Sequence, residues 1–158
     1  MKQNEKTNVM RLLDSKKIPY VSHTYEPNGQ LTGAEIAEIL GEMAEKVFKT
    51  LVTAGKTGNH YVFVIPVPAE LDLKKAARAA GEKSIDMIKQ KELLPLTGYI
   101  HGGCSPVGMK KTFPTFLHET AAELESICVS AGKVGVQIEL APRDLAKAIH
   151  YTLADLVV

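Results

Sequence analysis

The sequence predicts an α+β fold: a curved, mixed β-sheet flanked by helices, spanning residues 1–158 as one domain. Three observations carry this. Short strand-like and helix-like segments follow one another along the whole chain without regular strand–helix–strand order, which argues against a doubly wound nucleotide fold. Tyr61–Val67 (YVFVIPV) is almost uninterrupted apolar sequence, as expected of a central strand covered on both faces. Finally, 158 residues with 45% apolar and 23% charged side chains suit one packed core, and no repeat or linker divides them.

The elements follow in order. Residues 7–16 predict a helix capped by Thr7 or Asn8, with Val9, Met10, Leu12 and Leu13 at helical spacing and Pro19 ending it. Residues 20–25 predict a strand and 26–31 a loop. Thr32-Gly-Ala-Glu35 has the spacing of a capping box, in which hydroxyl and carboxylate satisfy free amides at a helix start. Ile36, Ala37, Ile39 and Leu40 supply that helix's buried stripe, and Gly41 stops it. Residues 47–53 and 61–67 predict a hairpin across the turn-rich 55–59. Asp72 caps a helix running to about Ala80, which Gly81 ends.

Residues 83–88 predict a short strand and 89–96 a short helix with Pro95 near its end. Residues 97–111 contain four glycines and a proline and predict an irregular loop. A strand at 115–118 and a short helix at 119–125 follow. Residues 126–130 and 134–140 predict a hairpin turning at 131–133. Residues 142–150 predict a helix with Pro142 at an early position, where its missing N–H costs little.

Composition narrows the function. The net charge of +1, from 19 basic and 18 acidic residues, excludes a generally basic nucleic-acid binder but leaves room for a local patch. The apolar runs are too short to span a membrane, so no membrane partner is expected. The opening MKQNEKTN has no apolar core, so no secretory signal is expected. Cys104 and Cys128 are too few for a disulfide scaffold. A cytoplasmic protein with free thiols is the resulting expectation.

Candidate chemistry can be weighed residue by residue. His23, His60, His101, His118 and His150 are widely spaced and no HExxH or CxxC occurs, so they read as surface or core histidines and no metal or cofactor is expected. Cys104 lies three residues from His101, but no third group orients the pair, so a Cys–His nucleophile is weakly indicated. Cys128 reads as core. Gly103-Cys-Ser-Pro-Val-Gly108 has phosphate-loop glycine spacing, yet Met109 stands where the lysine belongs. The glycines still permit close approach of a ligand to backbone N–H groups. Strand alternation places Lys49, Leu51 and Thr53 on one face and Phe48, Thr50 and Val52 on the other. From pattern alone Lys49 snorkels to water; facing a pocket, its ammonium suits a phosphate or a carbonyl oxygen.

The ordered set HTYE (23–26), VFKTLV (47–52), LDLKKAARAAG (71–81), TGYIHGGCSPVGMKK (97–111), VSAGKVGVQIEL (129–140) and DLAKAI (144–149) resembles the YbaK/EbsC family. These are free-standing relatives of the editing domain inserted in bacterial prolyl-tRNA synthetase. The resemblance covers nearly the whole chain. It implies a curved sheet around a pocket and trans-editing aminoacyl-tRNA deacylase activity on Cys-tRNA(Pro), with prolyl-tRNA synthetase as a partner. It implies that Lys49 faces that pocket and holds the ester region or phosphate of the terminal adenosine. It also implies a pocket role for Tyr25, carbonyl or oxyanion contacts from the N–H groups of Gly102 and Gly103, and substrate contacts from Ser130. Gln137 stands where the YbaK type has Asp, so any role needing a carboxylate is not carried over. The implied chemistry uses the substrate's own thiol, which makes Cys104 and Cys128 dispensable. Two other readings stay open: a deacylase for another mischarged tRNA such as Ala-tRNA(Pro), with water attacking, and a non-catalytic module binding a tRNA end or nucleotide.

Overall fold

A computed structural model describes residues 6–25, 33–41 and 43–158. The helices are α1 (Asn8–Ser15), α2 (Gly33–Leu40), α3 (Leu73–Ala80), α4 (Gln90–Thr97) and α5 (Pro142–Ala148). The strands are β1 (Val21–Thr24), β2 (Phe48–Gly55), β3 (His60–Pro66), β4 (Ile85–Met87), β5 (Thr115–His118), β6 (Ile127–Lys133), β7 (Val136–Leu140) and β8 (Thr152–Ala154). The fold is α+β, as predicted. The match to the predicted order is close, because caps and alternation act locally. Thr7 accepts from the Met10 N–H, Asp72 from the Lys74 and Lys75 N–H groups, and Gly81 closes α3 in the left-handed conformation. The proposed capping box at Thr32 lies outside the described residues.

The sheet is split in two. One has five strands in the order β4-β2-β3-β5-β8, antiparallel through β2–β3 and parallel through β3–β5 and β5–β8. The other has three antiparallel strands, β1-β7-β6. Among the described residues, a parallel bridge from Val47 to Cys128 joins them.

β3 is central, and its alternation decides the packing. Val62 and Val64 enter a core shared with Phe48, Val52, α1, β6 and β7. Tyr61, Phe63 and Ile65 enter a second core with Ala76 and Ala77 of α3. Burying side chains of this size on both faces stabilises by roughly 1.5–3 kcal/mol each, and no exposed strand could carry so many. Phe63 stacks on Phe116 with centroids 5.4 Å apart.

Three departures have physical causes. β6 runs on to Lys133, and the turn falls at Val134-Gly135 rather than 131–133, because a register irregularity between Ser130 and Lys133 absorbs the extra residues. The predicted helix at 119–125 is a 3-10 turn over Glu119–Glu123. β8 was not foreseen: its three residues are too few to show a period, and pairing to β5 creates it.

Candidate active site at the junction of the sheets

The Val47–Cys128 bridge sets two of the candidate residues side by side. β2 and β6 leave it in the same direction, and two residues further on they carry Lys49 and Ser130. Side chains two apart share a strand face. Val47 and Cys128 pack in one small cluster with Ala37, and Val67 lies against it. Lys49 follows the same side. Its Nζ donates to the Val67 carbonyl at 3.3 Å, and the side chain is half-buried. Burial pulls its pKa below the ordinary lysine value, with Glu70 opposing.

Ser130 is buried and pairs directly with Gln137 of β7, which pairs on its other side with His23 of β1. The Ser130 hydroxyl accepts from the Gly132 N–H at 3.1 Å, which fixes the irregular turn of β6. Gln137 is 7% exposed, and its Oε1 has no hydrogen-bond partner. A buried acceptor left this way costs about 1–3 kcal/mol, so a donor from outside the chain would be welcome there. Tyr25 is buried, and its N–H donates to the Gly135 carbonyl at 2.9 Å, which pins it to the β6–β7 turn.

The glycine-rich loop reaches the same turn. A Cβ at Gly103 would stand 3.1 Å from the Val134 nitrogen and 3.3 Å from the Lys133 carbonyl carbon, so only glycine fits without displacing the hairpin. Gly102 has φ +87°. The two amides do not serve alike: the Gly103 N–H is spent on the Ile100 carbonyl at 3.0 Å, while among the described residues the Gly102 N–H has no protein partner. Tyr99 braces the loop, its ring against Gly132 and its hydroxyl donating to the Val107 carbonyl.

The two thiols sit in different surroundings. Burial pushes the Cys104 thiol up to about 12, so it is protonated at neutral pH. Cys128 is fully buried.

Sequence reasoning missed one feature, a polar network beside this site. His23 Nε2 lies 2.8 Å from one Glu139 oxygen, while Lys46 Nζ at 2.9 Å and the Ser126 hydroxyl at 2.5 Å donate to the other. Alternation along β7 puts Gln137 and Glu139 on one face, which was the available signal. Donor atoms of His23, Cys128 and Glu139 lie within 4.8 Å of one another. Both carboxylate oxygens already have protein partners, however, and the cation in the cluster is an ammonium, so the set is ill suited to a metal ion. His118 is a core histidine whose Nδ1 accepts from the Leu156 N–H at 3.1 Å.

Residues 27–148 match the aminoacyl-tRNA editing domain family. A curated relative from Enterococcus faecalis, named as a candidate Cys-tRNA(Pro)/Cys-tRNA(Cys) deacylase, EbsC, is 46% identical over 98% of this chain and 95% of its own length. The proline–tRNA ligase of Fervidobacterium nodosum is 26% identical over 63% of this chain, which corresponds to 17% of that enzyme. A crystal structure described as a candidate trans-editing enzyme for prolyl-tRNA synthetase superposes with TM-score 0.84 at 24% identity, covering 98% of this chain and 99% of that one.

Proposed function

The chain belongs to the aminoacyl-tRNA editing domain family, and from that premise we propose that it is a trans-editing deacylase removing cysteine from Cys-tRNA(Pro). The whole chain, residues 1–158, acts as one editing domain in this reading, in the cytoplasm where its aminoacyl-tRNA substrate is found. The chemical need is sound: cysteine and proline are similar in size, and a synthetase pocket separates such pairs by only a few kcal/mol.

One observation supports the reading above others. A partly desolvated ammonium (Lys49) and a buried orphan acceptor (Gln137) lie on neighbouring parts of the two joined sheets, the glycine-rich loop offers an unspent backbone donor (Gly102), and the Cys104 thiol is held protonated. Such a site orients and stabilises charge, and leaves bond making to the substrate. The cysteinyl thiol attacks its own ester carbonyl. A carbon–sulfur bond forms, the carbon–oxygen bond to the ribose breaks, and the proton lost from the thiol ends on the ribose hydroxyl. The products are a cyclic thiolactone and uncharged tRNA. Lys49 and the Gly102 N–H face the ester oxygen as it gains charge, while Ser130 and Tyr25 shape the pocket around the aminoacyl group. Gln137 accepts from a substrate donor without adding charge.

With near-zero net charge, the chain holds tRNA weakly by itself. A complex with prolyl-tRNA synthetase would raise the local tRNA concentration. Release of labelled cysteine from Cys-tRNA(Pro), run beside Ala-tRNA(Pro), tests the reading. Fast cysteine loss with slow alanine loss is expected. Alanine loss alone would replace self-cleavage by attack of water, and loss of neither, with synthetase present, would leave a binding module.

A further inference from the structure

The glycine-rich loop has a second side that the deacylase site does not use. Residues beyond Pro106 open onto a cleft of about 490 Å³ between the loop and the end of α5. Its apolar wall includes Met109, Phe113 and Ile149. Its titratable lining residues are Lys111 and His150, with no carboxylate among them. Phe113 is half-buried and rests against His60 with ring centroids 5.6 Å apart, which sets its orientation. Lys110, next in the chain, is exposed. A flat apolar ring beside a cation, free of opposing charge, is the arrangement that takes a nucleobase by stacking and its phosphate by charge.

The cleft lies on the far side of Tyr99 from the turn next to Ser130. Tyr99 spans the two: its ring meets Gly132, at the turn that Ser130 braces, and its hydroxyl lies against Gly108, on the cleft wall. The separation is therefore on the scale of one tyrosine side chain, comparable to the step between neighbouring nucleotides of a splayed strand.

We propose that this cleft is a nucleotide subsite, which binds an unpaired nucleotide of the tRNA 3′ end next to the terminal adenosine. The proposal rests on the deacylase reading above, and its chemistry is stacking on Phe113 with Lys111 against the phosphate. The cleft thereby supplies affinity for the strand without touching the ester.

The test compares two ligands that differ only in reach. Binding of a fluorescein-labelled CCA trinucleotide is measured by anisotropy against salt, and deacylation of cysteinyl-adenosine is measured in parallel. Phe113→Leu keeps apolar volume but removes the stacking face, and Lys111→Ala removes an exposed charge. Each is expected to weaken trinucleotide binding about tenfold. Lys111→Ala should also lower the slope of log Kd against log salt by about 0.7. Cysteinyl-adenosine turnover should stay unchanged in both, which also shows that the variants fold. Trinucleotide binding unchanged in both variants would overturn the subsite, as would an equal loss toward cysteinyl-adenosine. Failure of the unaltered protein to deacylate cysteinyl-adenosine would instead count against the deacylase reading, and the anisotropy result would still decide the cleft.

Discussion

Replacing Lys49 by methionine separates catalysis from stability more sharply than any other change. The Lys49 ammonium is half-buried, its hydrogen bond among the described residues is a long 3.3 Å contact to the Val67 carbonyl, and burial lowers its pKa. Methionine keeps a similar length. It forfeits that bond, worth about 1 kcal/mol, but removes the cost of holding a charge away from water. Stability should therefore change by no more than about 1 kcal/mol. Activity should not be spared. A positioned donor facing a developing oxyanion contributes about 2.7–4 kcal/mol, which is roughly a hundred- to a thousandfold in kcat.

The pH dependence adds a check with a definite sign. Lys49 has its pKa lowered from 10.5 in the folded state. In the interval between the folded value and 10.5 the unfolded chain binds more protons, so stability rises with pH there. The cost of the buried charge is complete below the folded value and is relieved above it. Urea unfolding from pH 7 to 10.5 should show this rise in the unaltered protein relative to Lys49→Met. Single-turnover cysteine release supplies the rate. A rate loss under tenfold in a fully folded variant would refute the role assigned to Lys49. A rate loss accompanied by a comparable loss of stability would show the lysine to be structural.

Three further outcomes follow from the same geometry. Cys104→Ala should keep deacylation near normal, whereas a loss beyond about a hundredfold, roughly 3 kcal/mol, would sink the substrate-thiol account; because the folded thiol titrates near 12 instead of 9.0, its contribution to stability is complete below pH 9.0 and lost toward 12, and alanine should remove that alkaline decline in denaturation midpoints. Gln137→Met removes the orphaned Oε1 and should raise unfolding free energy by about 1 kcal/mol while raising KM, so a stability loss in urea melts would show that the amide is satisfied within the protein. Gly103→Ala forces a Cβ to within 3.1 Å of hairpin backbone and should lower kcat far more than it lowers Tm, since the loop can retreat but the Gly102 donor moves with it; unchanged kcat would detach that donor from the chemistry.

What the sequence determined by itself was local. Caps at Thr7 and Asp72, the left-handed stop at Gly81 and the two-faced apolar run of β3 depend on near neighbours, and each stands where reading along the chain put it. The family motifs named Lys49, Gly102, Ser130 and Gln137, because residue type and order survive in one dimension. Tertiary structure decided the rest. The bond from Lys49 to the Val67 carbonyl joins residues eighteen apart and is invisible in strand alternation. Gly102 and Gly103 look equivalent until one N–H is consumed by Ile100. The carboxylate of Glu139 joins His23, Lys46 and Ser126 from three separate segments, and β8 exists only because β5 offers an edge. Desolvation and hydrogen-bond satisfaction are properties of the space around an atom, and that space is filled by residues the chain brings from far along its length.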